Sequence, residues 1–404
     1  MIINALEGVR VLDLTHHVAG PQCTKLLADY GADVIKIERP LTGDPARSIG
    51  PFYHDDPHPE KSGLFLHLNT NKRSVTLNLK DKTGQEIARR LSHNADIVIE
   101  NFRPGVMADM GLDYTTLEKL NPSVVFTSIS NFGQTGPYRD LNASEIVSFA
   151  MGGAMNITGH AEREPLKLGS NVIAYHSGSV AAYSTMLALY QAEDDGEGQF
   201  IDVSIYLAQA GSRDRRTIYL TGYAYVGETG QRAHPENRLA SGTRPCADGY
   251  VNILGFGGGR FASMCRMIGQ PELAEHPLLN NPMTRTDPEA IDLFDSYYIP
   301  WLMEHTKREA VAIAQEHHLL AGPINTVEDL LSDPHFKERD YWDKIEHPYT
   351  GEVTYPGNPI KMHGVSSSPT KHAPLLGEHT AEVLVDELGY SREELVFLRA
   401  SGVI

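Results

Sequence analysis

The chain opens with a short apolar run, GVRVLDLT (Gly8 to Thr15), followed by PQCTKLLADYGA, whose apolar positions recur at helical spacing and stop at a glycine. DVIKIE is a second apolar run of strand length, so the three segments form a β-α-β unit of the parallel type. The alternation continues: SVTLNL, ADIVIEN and SVVFTSIS read as strands, with KTGQEIARRLSHN and TTLEKL as helices between them. Strands that alternate with helices imply an α/β fold with a doubly wound sheet covered on both faces. Ligands of such sheets sit at the carboxyl ends of the strands, which directs attention to the residues after DLT, KIE, IEN and SIS.

After about residue 205 the pattern changes. A polar stretch leads to GTRPCADGYVNILGFGGGRF and then to short helical segments ending near AGPINT. We read residues 1–205 as the first part of a large Rossmann-like domain, 206–228 as a linker and 229–328 as a smaller α+β domain. Strand-like, turn-rich segments and a helix at HTAEVLVDELG follow, and pattern alone leaves open whether residues 329–404 return to the first domain.

With 404 residues, 41% hydrophobic and 22% charged, the composition is that of a globular protein large enough for two cores. The start, MIINALEGVRVLDL, lacks a signal-peptide pattern, and no apolar run approaches the roughly 20 residues that span a bilayer. The expectation is a cytoplasmic protein. Cys23, Cys246 and Cys265 are widely spaced without a CxxC, which suggests neither a disulfide framework nor a zinc site. The net charge of −17 argues against nucleic acid and anionic membrane as partners. An anionic small ligand would need a local basic pocket.

Four strand ends offer one. THHVAGP, with His16, His17 and Ala19, joins a strand to a helix whose first amides can face an anion. ERPLTGD places Arg39 at a second strand end, LNTNKRSV sets Lys72 and Arg73 before a third strand, and ENFRPG puts Asn101, Phe102 and Arg103 after a fourth. A ring, an amide and a guanidinium suit an adenine and a phosphate. Each segment taken alone is ordinary turn or surface chemistry. GxGxxG, the P-loop pattern and GxSxG are all absent, and the paired histidines lack metal-ligand spacing with an acid. Gly257, Gly258 and Gly259 in GFGGGR are either a mobile turn or a loop whose bare amides approach a reactive carbonyl.

Taken in order, LEGVRVLDLTHHVAGP, GADVIKIERP, LNTNKRSVTLNL, IENFRPG, FGQTGPYRD, DGEGQFIDVSI, TRPCADGYV, AGPINT, DPHF and APLLGEHTAEVLVDELGYS resemble the family III CoA-transferases along nearly the whole chain. The resemblance implies that residues 329–404 return to the large domain, that chains interlock as dimers, and that CoA or an acyl-CoA is the substrate, with no metal. It makes His16, His17, Ala19, Arg39, Lys72, Arg73, Asn101 and Phe102 candidates for the CoA pocket. Gly257, Gly258 and Gly259 become candidates for a loop shielding an acyl intermediate.

Members of this family carry an Asp that attacks the thioester to form a mixed anhydride and then an aspartyl-CoA thioester, chemistry that requires a carboxylate. In register with Gly178 and with Gly198-Gln199, that position is Ala174, and no Asp or Glu occurs from Pro165 to Ala192. Glu145 falls in an earlier segment, where the family has an acid of its own. Asp109 also stands where the family usually has a basic residue, which would repel a phosphate.

These departures lead to the expectation of a nucleophile-lacking subunit of a heteromer resembling the benzylsuccinate CoA-transferase type. A homologous Asp-bearing chain would be its partner, with a donor such as succinyl-CoA. The alternative is an Asp-independent acyl-CoA lyase, hydratase or epimerase that moves protons through His176, His16 or Glu145. A CoA-binding regulator is a further reading.

Overall fold

A computed structural model of the chain describes residues 3–210, 222–227, 232, 238–257, 259–284, 286–366 and 370–404. It falls into two compact units. The first comprises Met1–Met155, Lys167–Thr229 and Glu338–Ile404, and the second comprises Asn156–Leu166 and Gly230–Lys337.

The first unit is built on six strands: β1 (Arg10–Asp13), β2 (Asp33–Glu38), β3 (Arg73–Thr76), β4 (Ile97–Glu100), β5 (Val125–Ser130) and β6 (Phe200–Ser204). All pair in parallel, in the order β3-β2-β1-β4-β5-β6. Every residue of β4 and β5 is buried, as expected for central strands covered on both faces. The order reverses between β1 and β4, and a crevice opens at such a switch point.

Helices Ala19–Asp29 and Val172–Asp195 cover one face, where Cys23, Leu27, Ala181 and Leu189 bury against Val11, Ile97 and Val125. The two helices approach closely at Gly178. A Cβ there would lie 2.4 Å from the Ala19 carbonyl oxygen, so only glycine fits. The opposite face is covered by the helix Lys82–His93 and by the end of the chain, whose Val383, Leu384, Leu395 and Leu398 join Ile87 and Leu91 in one core. The last residues thus return to the first unit because its sheet has a second apolar face to cover. A hairpin of Trp342–His347 and Gly351–Pro356 adds Ile345 and Tyr355 to a smaller core with Phe65 and Leu66.

The second unit has a three-stranded antiparallel sheet of Ser241–Cys246, Gly249–Leu254 and Leu320–Pro323. Phe261, Met264, Phe294, Tyr298 and Leu302 form its core with those strands. Residues 156–166, which the sequence pattern leaves within 1–205, group with this unit. The Arg232 guanidinium donates to the backbone carbonyls of Asn156, His160, Ala161 and Arg163, and so holds that segment. Of the expected linker 206–228, residues 211–221 and 228 lie outside the described residues. No helix among the described residues is long and apolar enough to cross a membrane.

Candidate active site

The loops after β1 and β4 meet across the switch point. Asn101 binds the His16 backbone twice: its Nδ2 donates to the carbonyl oxygen at 2.8 Å and its Oδ1 accepts the N–H at 3.0 Å. Asn101 therefore acts as a clamp between two strand ends. His17 adopts a left-handed backbone (φ 66°), held by its N–H donating to Asp44 Oδ1 at 3.0 Å. The His16 and Phe102 rings lie 5.4 Å apart. Burial pushes the His16 imidazole down to about 4, which makes it neutral at pH 7. Glu100, at the end of β4, accepts the Phe102 N–H at 2.6 Å, and its burial raises the carboxyl to about 7.

Two cavities open on this junction, and His16 and Phe102 line both. The larger, about 710 Å³, lies over the ends of β1, β2 and β3 and receives Arg39, Lys80 and Arg399. None of these three cations has an ion-pair partner among the described residues, whereas the acids of the same wall are already neutralised. Glu38 pairs with Arg47 at 2.8 Å and Asp44 pairs with Lys36 at 2.9 Å. The cavity is thus locally basic within a chain of charge −17. The smaller cavity, about 500 Å³, is lined by His16, His17, Ala19, Asn101, Phe102, Arg139, Glu145, Asn171 and Ala174 among others.

Lys72 and Arg73 do not join either cavity. The Lys72 side chain is fully buried, and its ammonium reaches Asp13 Oδ2, the Pro21 carbonyl, Thr24 Oγ1 and Asn69 Oδ1 at 2.7–3.2 Å. Burial pushes it down to about 8. Lys72, a candidate for the CoA pocket by sequence, therefore lies outside both cavities and supports the β1 turn through these buried partners. Arg73, in β3, pairs with Asp33, Glu382 and Glu387, so three carboxylates already occupy its guanidinium.

Ala174 lies in the first turn of the 24-residue helix Val172–Asp195 and faces the smaller cavity. The Asn171 side chain makes no cap for this helix. Glu145 does so from a distance: its Oε1 accepts the Ile173 N–H at 2.8 Å and its Oε2 accepts the Ala174 N–H at 3.2 Å. Glu145, separated from Ala174 by sequence, thus brings a carboxylate to the segment that has none. His176 is exposed and does not line the cavity, because two residues along a helix turn it about 200° from Ala174. Asp109 is exposed and outside both cavities, so its charge does not face the basic wall.

Gly257 and Gly259 both have positive φ (89° and 81°), and Gly259 precedes the helix Arg260–Met267 in the second unit. Gly258 lies outside the described residues. The sequence reading missed Lys80 and Arg399. Lys80 directly follows the SVTLNL strand and was open to the same strand-end reasoning, whereas Arg399 reaches the cavity only through the return of the chain end.

The description CoA-transferase family III matches residues 6–380. A succinyl-CoA–D-citramalate CoA-transferase of Chloroflexus aurantiacus is 33% identical, covering 99% of this chain and 98% of its own. A formyl-CoA:oxalate CoA-transferase of Streptomyces avermitilis is 36% identical, covering 99% of each. Among solved structures, a CAIB/BAIF family protein from Brucella suis superposes with a TM-score of 0.84 at 31% identity, over 95% of this chain and 99% of that one. Fold, strand-end crevice and relatives agree, and the chain belongs to CoA-transferase family III.

Proposed function

We propose that the crevice of the first unit binds a CoA thioester and transfers its CoA to a carboxylic acid. The observation that carries this reading is the pair of cavities that share His16 and Phe102 in their walls. One end presents Arg39, Lys80 and Arg399 for the phosphates of a nucleotide, and the other presents the first turn of a long helix. The nucleotide would occupy the larger cavity, with Phe102 beside the cofactor chain and the acyl group towards Ala174. His16, His17, Ala19 and Asn101 would shape the passage between them, Asn101 through its hold on the His16 backbone. The relatives' names favour succinyl-CoA or formyl-CoA as donor and a short dicarboxylic acid as acceptor.

Ala174 has no oxygen with which to attack a thioester, so the carboxylate comes from elsewhere. In one reading a homologous Asp-bearing chain supplies it, as in the benzylsuccinate type, within an interlocked dimer or a dimer of dimers, and this chain alone is inactive. A specific observation favours a source inside the chain: Glu145 on the Ile173 and Ala174 amides. For proton-transfer chemistry, His16 and Glu145 line the cavity whereas the third candidate, His176, does not.

The purified chain should bind CoA in equilibrium dialysis and form a new CoA ester from succinyl-CoA or formyl-CoA with succinate, benzylsuccinate or oxalate. Absence of CoA binding would remove the whole reading. Turnover by the isolated chain would exclude the heteromer, whereas turnover only with a homologous chain, identified by native mass spectrometry, would support it.

A further inference from the structure

We propose that Glu145 is the carboxylate that carries the acyl group and CoA in this chain. The inference rests on the reading that a CoA thioester binds in the crevice, and it goes further by assigning the nucleophile. Among the described residues lining the smaller cavity, Glu145 is the one acid, and it is partly exposed there. Its carboxylate sits on the amides of Ile173 and Ala174, beside the methyl group that replaces the expected acid. Asn171 occupies the N-cap position and leaves it unused, so a glutamate from 28 positions upstream of Ile173 is drawn into the cavity instead.

The chemistry balances without an added reagent. A Glu145 carboxylate oxygen attacks the thioester carbonyl, the C–S bond breaks and CoA leaves as thiolate, giving a mixed anhydride of Glu145 and the donor acid. The thiolate then attacks the Glu145 carboxyl carbon and expels the donor carboxylate, leaving a glutamyl-CoA thioester. The acceptor carboxylate repeats these two steps in reverse order and restores Glu145. Proton count and oxidation state are unchanged throughout. When the side chain swings towards substrate, the N–H groups of Ile173 and Ala174 are released as donors for the oxyanion that forms.

The test uses the purified full chain, incubated with succinyl-CoA and with formyl-CoA in turn. Intact-mass measurement should show one CoA adduct that hydroxylamine removes, and peptide mapping should place it on Glu145. Borohydride should convert that residue to the alcohol. Glu145→Gln, which keeps an acceptor for the helix amides, should bind CoA within about threefold of the parent and form no adduct. An adduct on another residue, or one that persists in Glu145→Gln, overturns the assignment, as does CoA binding without adduct from either donor. Failure to bind CoA at all would instead remove the functional reading on which the assignment rests.

Discussion

Glu145 and Ala174 are 29 positions apart in the chain, yet the Glu145 Oε2 atom accepts the Ala174 backbone N–H at 3.2 Å. The contact joins a short helix to the start of the long one, and both residues line the smaller cavity. Two amide-to-carboxylate bonds at a helix start contribute about 1–2 kcal/mol. Glu145→Ala should therefore lower unfolding free energy by about that amount in urea titration, and Glu145→Gln by about half as much. Equal, negligible losses in both variants would show that the cap contributes nothing to stability.

Lys72 is a stability residue by its surroundings. Lys72→Met leaves Asp13 buried with one of its two cationic neighbours gone, a change that costs about 3 kcal/mol or more. The denaturation midpoint should fall markedly, while the salt dependence of CoA binding in the folded variant stays as in the parent. A flatter salt dependence would instead put its ammonium on a phosphate.

Arg39, Lys80 and Arg399 should behave in the opposite way. Each is exposed and lines the larger cavity. Single alanine substitutions should weaken CoA affinity about 2- to 10-fold, from about 0.5–1.5 kcal/mol of screened attraction, with little change in thermal stability. Raising salt should narrow the difference from the parent. Unchanged CoA affinity in all three would separate this cavity from the nucleotide.

Glu100 makes stability depend on pH. Its carboxyl is raised from the ordinary glutamate value of 4.5 to about 7 because burial disfavours the charged form. The native state therefore holds a proton that the unfolded chain has released between those values. Its contribution is favourable at low pH and is progressively lost as pH rises from about 4.5 through about 7. Glu100→Gln keeps an acceptor for the Phe102 N–H and should flatten that part of the Tm profile, gaining most at pH 8. Parallel profiles for parent and variant would contradict the burial argument.

Gly178 tests the close helix contact directly. In Gly178→Ala the new methyl group meets the Ala19 carbonyl at 2.4 Å and the Gln22 Cβ at 2.8 Å, and the first of these is backbone that cannot rotate away. The helices must separate, at a cost of about 1–3 kcal/mol. CoA affinity should fall together with stability, because Ala19 and Ala174 line one cavity. Parent-like stability would mean that the two helices tolerate a wider spacing than the contact implies.

The sequence by itself determined the parallel sheet, because β1, β2, β4 and β5 are apolar runs of strand length separated by helical spacing. The strand-end rule likewise singled out His16, Arg39, Asn101 and Phe102, and all four line one or both cavities. The sequence also carries no Asp or Glu from Pro165 to Ala192.

Tertiary structure decided the rest, because charge and function depend on neighbours that are distant in the chain. Lys72 and Arg39 are both cations beside strands, but four buried partners hold the first and open cavity surrounds the second. Arg399 enters the site through apolar burial of the chain end on the sheet's second face. Position 174 lacks a carboxylate in sequence, yet the fold places Glu145 on its backbone amide, since an unsatisfied helix N-terminus attracts an acid from any segment that can reach it.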